Sequence, residues 1–227
     1  MKTAFFIDAG FYLRRLNKLR GPQTASQAVE TLLRMCAVHL ELFQRDQNQL
    51  YRILVYDCPP LAKKSHYPVS KRGFDWAKTS TFTWKIEIQN ALRAQRKVAL
   101  RMGRLNDADG AWVIRPDKLK DLLNHKIQFS DLIDADFTYD VKQKGVDMRI
   151  GLDIASIASK RLVDQMVLVA GDSDFVPAAK TARREGIDFV LDPLGATVPP
   201  DLQEHIDGIQ TVMQPTPKAP QPPQEGS

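Results

Sequence analysis

The sequence predicts an α/β fold: a three-layer sandwich with a central, mainly parallel sheet flanked by helices, carrying a β-hairpin insertion. Two observations lead to it. Short runs dense in β-branched and aromatic residues, such as Tyr51–Tyr56 and Met166–Ala170, read as strands buried on both faces. In the last third, strand, helix and strand alternate with short links, the pattern of parallel βαβ units.

The elements follow in order. Thr3–Ile7 is the first strand, and a short helix runs around Phe11–Leu19 until Gly21-Pro22 breaks it. Ser26–Arg45 reads as a long helix, because Val29, Leu32, Leu33, Cys36, Leu40 and Phe43 share one face. Tyr51–Tyr56 is a buried strand ended by Asp57-Cys58-Pro59-Pro60. Helix Phe82–Arg96 and strand Val98–Leu105 come next. Asp109-Gly110 is a hairpin turn signal, with Ala111–Arg115 returning. A short helix opens at Pro116, a strand lies near Phe137–Val141, and Val146–Lys160 is a helix. Met166–Ala170, Asp174–Glu185 and Ile187–Leu191 complete the alternation. One domain over residues 1–212 is expected, with a disordered Pro/Gln-rich tail over 213–227.

Composition narrows the classes. With 227 residues, 43% of them hydrophobic, the chain can bury a core and is no disordered polymer. No stretch approaches the roughly 20 apolar residues of a membrane helix, and Asp8 cuts the N-terminal apolar run short of a signal peptide. Two cysteines, Cys36 and Cys58, make neither a disulfide framework nor a four-cysteine metal knot, so a reducing cytoplasm is expected. Residues 1–110 carry 19 basic and 9 acidic side chains, a balance of +10, while residues 111–227 carry 13 and 18, a balance of −5. Such a split suggests an anionic partner for one half and a bound cation for the other.

The aspartates give the cation a place. Asp8 follows the first strand, and Asp172 and Asp174 follow the Met166–Ala170 strand in Gly171-Asp172-Ser173-Asp174-Phe175. Asp147 opens a helix in Lys144-Gly145-Val146-Asp147. In a parallel sheet, ligands bind at the carboxyl ends of strands. Gathered carboxylates repel one another unless a cation is bound, and oxygen donors without Cys or His suit Mg²⁺ or Mn²⁺. Helix capping by Asp147 or Asp174 is the competing explanation. Asp153 lies too far round its helix to face the same ion as Asp147 and is expected in a structural role. The 61–80 segment interleaves Lys71 and Arg72 with Tyr67, Phe74 and Trp76, a composition that suits stacking on bases and holding phosphates, or a packed flap. No nucleotide-cofactor loop, EF-hand or nucleophile elbow is present.

Phe6-Ile7-Asp8, Lys144-Gly145-Val146-Asp147 and Gly171-Asp172-Ser173-Asp174-Phe175, in that order and spacing, resemble the NYN domain family, a branch of the PIN-like metal-dependent ribonucleases, and its bacterial members most. The resemblance covers residues 3–195. It implies an Mg²⁺- or Mn²⁺-dependent (endo)ribonuclease that leaves 5′-phosphates. Asp8, Asp147, Asp172 and Asp174 would be catalytic and metal-binding, Ser173 would be their hydroxyl neighbour, and Asp153 would be a further acidic position. Lys71, Arg72, Trp76 and Lys144 are expected to contact RNA. Phe11 stands where the family often carries Asn, which would shift a polar role to Tyr12. A non-catalytic RNA- or protein-binding module and a metal-dependent phosphatase remain the alternatives.

Overall fold

The computed structural model describes residues 2–42 and 49–213. Its chain order is β1 (Thr3–Asp8), α1 (Ala9–Arg20), α2 (Ala25–Leu42), β2 (Leu50–Asp57), β3 (Lys64–His66), β4 (Gly73–Asp75), α3 (Ser80–Arg93), β5 (Val98–Met102) and β6 (Arg104–Ile114). Then come α4 (Pro116–Leu123), β7 (Phe137–Lys144), α5 (Val146–Ser159), β8 (Gln165–Val169), α6 (Val176–Arg184), β9 (Asp188–Leu191), α7 (Pro200–Gln203) and β10 (Gly208–Ile209). Six strands form one sheet in the order β10-β9-β8-β1-β2-β5, with every neighbouring pair parallel.

Both sheet faces are covered, and β1 shows why its sequence has no polar alternation. Phe5 and Ile7 point into a core with α1, α2 and α3, while Ala4 and Phe6 point into a second core with α5 and α6. All four are fully buried. Successive side chains of a strand face opposite ways, so a strand covered on both sides must be apolar throughout. Burying each phenylalanine contributes about 1.5–3 kcal/mol. From β1 the chain builds outward through β2 to β5, then returns to β8 on the other side of β1. The reversal therefore falls between β1 and β8, where a crevice opens beyond the carboxyl ends of the strands.

The insertion exists but is not the expected hairpin. β6 and β7 form an antiparallel ribbon that includes the pairs Arg104↔Lys144 and Trp112↔Tyr139, and the connection at its far end contains α4. Asp109-Gly110 is no turn; it sits inside β6 where the register slips between Asn106 and Ala111. Glycine is required there for close approach. A Cβ on Gly110 would lie 2.6 Å from the Tyr139 hydroxyl. The 61–80 segment folds as the β3–β4 hairpin and packs on this ribbon through aromatic rings. Tyr67 stacks on Phe74 at 4.5 Å between centroids, Phe74 meets Trp76 edge-on at 4.9 Å, and Trp76 and Trp112 both contact Tyr139. Asp134 clamps the hairpin tip by accepting from the amides of Val69 and Ser70 and from the Ser70 hydroxyl.

The base of this arm is pinned to the main sheet. A Cβ on Gly103 would lie 2.9 Å from both Cys58 Sγ and Val146 Cγ2. The thiol of Cys58 is pushed up to about 11, by burial first and by the Asp57 charge second. Both cysteines are buried and free. Of the expected tail, only Met213 is described, and it is buried in the core shared with α1 and α2. The rest of the tail, and Phe43 and Arg45 of the expected long helix, lie outside the described residues.

Candidate functional site

Asp8 ends β1, and α1 begins at the next residue, so the strand delivers its carboxylate onto a helix N-terminus. One oxygen, Oδ1, accepts from the Phe11 amide at 3.1 Å. Burial raises the pKa of Asp8; the Phe11 amide and then the Arg14 guanidinium oppose the shift without cancelling it. Asp172 stands three residues after Val169, the end of β8, and caps a 3-10 turn by accepting from the Asp174 amide at 3.1 Å. Asp174 sits exposed inside that turn and caps nothing. Asp147 is the second residue of α5, whose N-cap is Gly145 at φ 80°, so it too is not the capping residue. Its carboxyl is pushed up by desolvation, then by the charges of Asp8, Asp172 and Asp174 in that order. Four acidic groups from three helix starts thus share one electrostatic neighbourhood at the sheet reversal.

Two more carboxylates occupy strand ends on the same edge, and these the sequence reading missed. Asp57 ends β2 and is buried, with Lys85 Nζ at 2.8 Å and Gln89 Nε2 at 2.8 Å. Asp192 follows β9 and is buried, with His39 Nε2 at 2.9 Å and the Leu194 amide at 2.9 Å. The signal was present in the sequence: both aspartates directly follow an apolar run, as Asp8 does. The difference lies in their partners. Helices α3 and α2 supply partners to the flanking pair, whereas among the described residues no ion pair engages Asp8, Asp147, Asp172 or Asp174.

Other expected site residues fall elsewhere. Tyr12 does not take over a polar role at the carboxylates; its hydroxyl is buried in the opposite core and donates to the Ala28 carbonyl at 2.7 Å. Tyr12 packs with Leu16, Ala28, Val29 and Leu32 in the core that α1 shares with α2. Asp153 is committed to Tyr56, whose hydroxyl donates to it at 2.9 Å, and to Arg101 at 3.3 Å, so it braces α5 against β2 and β5. Phe11 lies on Gly171: a Cβ there would come within 2.5 Å of Phe11 Cε2. The Phe11 ring therefore packs against the turn that follows β8, and glycine at position 171 is what admits it.

Trp76 belongs to the aromatic cluster of the arm, Arg72 lies over the Tyr67 ring at 5.1 Å, and Lys71 Nζ donates to the Pro68 carbonyl. Lys144, exposed at the end of β7, stands beside Gly145 at the start of α5. The basic first half does not form one surface. Arg14 and Lys85 stand at the carboxylate edge, but Lys97 bonds the Leu50 carbonyl at the opposite end of β2.

Among the described residues no three carboxylate, imidazole or thiolate groups converge into a closed metal cage. The donor set nevertheless fits Mg²⁺ or Mn²⁺. It is all oxygen, and Mg²⁺ binds through one or two carboxylates while keeping several waters. The unneutralised charge around Asp147 is what a divalent ion would relieve.

A parallel sheet covered on both faces, with aspartates gathered at its reversal point, is the architecture of the PIN-like class. The family model for the NYN domain matches residues 87–205, and the chain belongs to that family. The match spans Asp147, Asp172 and Asp174 but begins after β1, so Asp8 joins them through the fold alone. Comparison with curated proteins and with solved structures gave no match. NYN domains generally act on RNA and are generally divalent-metal dependent. Among the described residues no helix is long and apolar enough to cross a membrane.

Proposed function

We propose that the protein is a cytoplasmic, Mg²⁺- or Mn²⁺-dependent ribonuclease that hydrolyses RNA phosphodiester bonds at the Asp8, Asp147, Asp172 and Asp174 edge. One observation carries this reading: the flanking two carboxylates at this edge are paired with His39 and Lys85, whereas among the described residues no ion pair engages the central four. The four would hold the ion, which when bound supplies a water of lowered pKa and offsets phosphodiester charge. Asp8 is oriented for this by its bond to the Phe11 amide. Asp172 is oriented in the same way by the Asp174 amide. Ser173, between them, offers a hydroxyl to a phosphate oxygen or a water. Gly10 keeps the approach to Asp8 open: a Cβ there would lie 3.2 Å from Asp8 Oδ1 and 3.4 Å from Arg14 Nη1. Arg14 and Lys144 would then meet the RNA backbone.

The test is cleavage of labelled single-stranded RNA with Mn²⁺ by the wild type, Asp172→Asn and Asp147→Asn. Each substitution is expected to reduce the rate on the order of 100-fold or more. Undiminished cleavage by Asp172→Asn removes that residue from the site. The second reading, an RNA- or protein-binding module with a degenerate site, is favoured by the Phe11 wedge on Gly171. It predicts RNA binding that persists in a chelator with no cleavage of any RNA.

A further inference from the structure

Between the arm and α3 lies a pocket of about 200 Å³, room for roughly six or seven waters or for one planar heterocycle. Its walls include Leu61, Trp76, Thr81, Phe82, Tyr139 and Val141. No charged side chain lines it, but cations stand close by. Lys63 Nζ reaches the Tyr139 hydroxyl at 3.4 Å, and Lys78 follows Trp76 by two residues. Although the Trp76 ring lines the pocket, its Nε1 is buried and finds no acceptor among the described residues. A buried donor with nothing to donate to is costly, and a small tilt of the ring toward an incoming carbonyl or ring nitrogen would remove that cost. An aliphatic ligand offers no such acceptor.

The pocket is connected to the carboxylate edge by a single strand face. Residues two apart on a strand share a face, so Tyr139, Val141 and Gln143 of β7 lie in a row. Tyr139 and Val141 line the pocket, while Gln143 Oε1 lies 3.8 Å from the Cβ position of Gly10, the residue beside Asp8. Four residues of strand cover about 13 Å, a distance that a few nucleotides of single strand can bridge.

We propose that this pocket receives one unstacked nucleobase of a single-stranded RNA whose backbone continues along β7 to the aspartates. The proposal rests on the ribonuclease reading for the identity of the polymer. It adds a recognition subsite, and its ligand is an unpaired base of a strand, not a duplex. Bases stack readily on aromatic walls regardless of sequence, and unstacked bases are what RNA-binding proteins of this kind select.

The experiment uses the full chain carrying Asp172→Asn, in chelator, so that binding is read without cleavage. The probes are short single-stranded RNAs with an abasic site or 2-aminopurine moved along the strand. At one position, loss of the base is expected to weaken binding about tenfold, and 2-aminopurine at that position is quenched. Val141→Trp fills the pocket from the arm, and Thr81→Trp fills it from the exposed first turn of α3, where folding is not at stake. Either change should lower affinity for intact RNA to the abasic level and abolish the dependence on position. Intact RNA bound equally well by the folded Thr81→Trp protein, or no abasic position that costs affinity, overturns the proposal. Failure of the wild type to cleave RNA would overturn the ribonuclease reading instead and leave this binding result standing.

Discussion

Replacing Lys85 with methionine should destabilise the protein by about 3 kcal/mol, and Asp57→Asn should restore most of that loss. Asp57 is 1% exposed and Lys85 15%, with their charged atoms 2.8 Å apart. At an effective dielectric near 20, such a pair attracts by about 6 kcal/mol. Desolvation offsets much of this, so the pair's net worth is small. Removing only the lysine is different, because it leaves a buried carboxylate uncompensated, which typically costs about 3–5 kcal/mol. Gln89 and the Cys58 amide still donate to Asp57, which places the expected cost at the lower end. In Lys85→Met/Asp57→Asn the charge is gone, and stability should return to within about 1 kcal/mol of the parent, a recovery of about 2 kcal/mol over the single variant. Urea unfolding followed by circular dichroism reads both numbers, with a midpoint shift of roughly 1–2 M for the single variant. A single-variant cost below about 1 kcal/mol, or a double variant no more stable than the single, refutes the assignment of Lys85 as the partner of Asp57.

Asp147→Asn should slightly stabilise the metal-free protein, because the folded state raises that carboxyl's pKa and its ionisation at neutral pH therefore works against folding, with solvent screening at this exposed position keeping the gain small. The same substitution should reduce the rise in Tm that Mn²⁺ gives the wild type, as calorimetry with and without the ion would register. Gly171→Ala forces the Phe11 ring aside and should cost about 1–3 kcal/mol, relieved in Phe11→Leu/Gly171→Ala; equal costs in both backgrounds would mean the two do not touch. The Ser70 hydroxyl, with the Ser70 and Val69 amides, holds the Asp134 carboxyl below its ordinary value. Its contribution is therefore complete above the unfolded value of about 3.9 and is lost as pH falls through the lower folded value. Amide signals of Val69 and Ser70 should titrate with a midpoint under 3.9, and Asp134→Asn should remove that titration.

The main sheet was legible because burial on both faces leaves a mark on its central strands: Phe5, Ile7, Leu54, Val55, Val167 and Leu168 admit no polar alternative. The candidate carboxylates were legible for a related reason, since Asp8 and Asp172 follow runs that end where polarity returns. What the sequence withheld depends on contacts far apart in the chain. Nothing local to Asp192 distinguishes it from Asp8; the distinction is made by His39, 153 residues away. Tyr12 and Asp153 look available in a linear reading, yet Ala28 and Tyr56 already engage them. Asp109-Gly110 has the chemistry of a turn, but the ring of Tyr139 needs that glycine flat beneath it. Phe11 and Gly171, 160 residues apart, explain each other only once β1 and β8 lie side by side.

Only Gly145 separates the last residue of β7 from the first of α5, and this fixes where the arm can vary in length. One residue added between Val141 and Lys144 would turn Tyr139 and Val141 to the opposite face of the ribbon while Asp147 kept its place. The far end, from Arg115 to Asp136, has no such restriction, because a longer connection there leaves the pairing below it intact. The arm is thus free to grow at its tip and is held to one reading frame at its root.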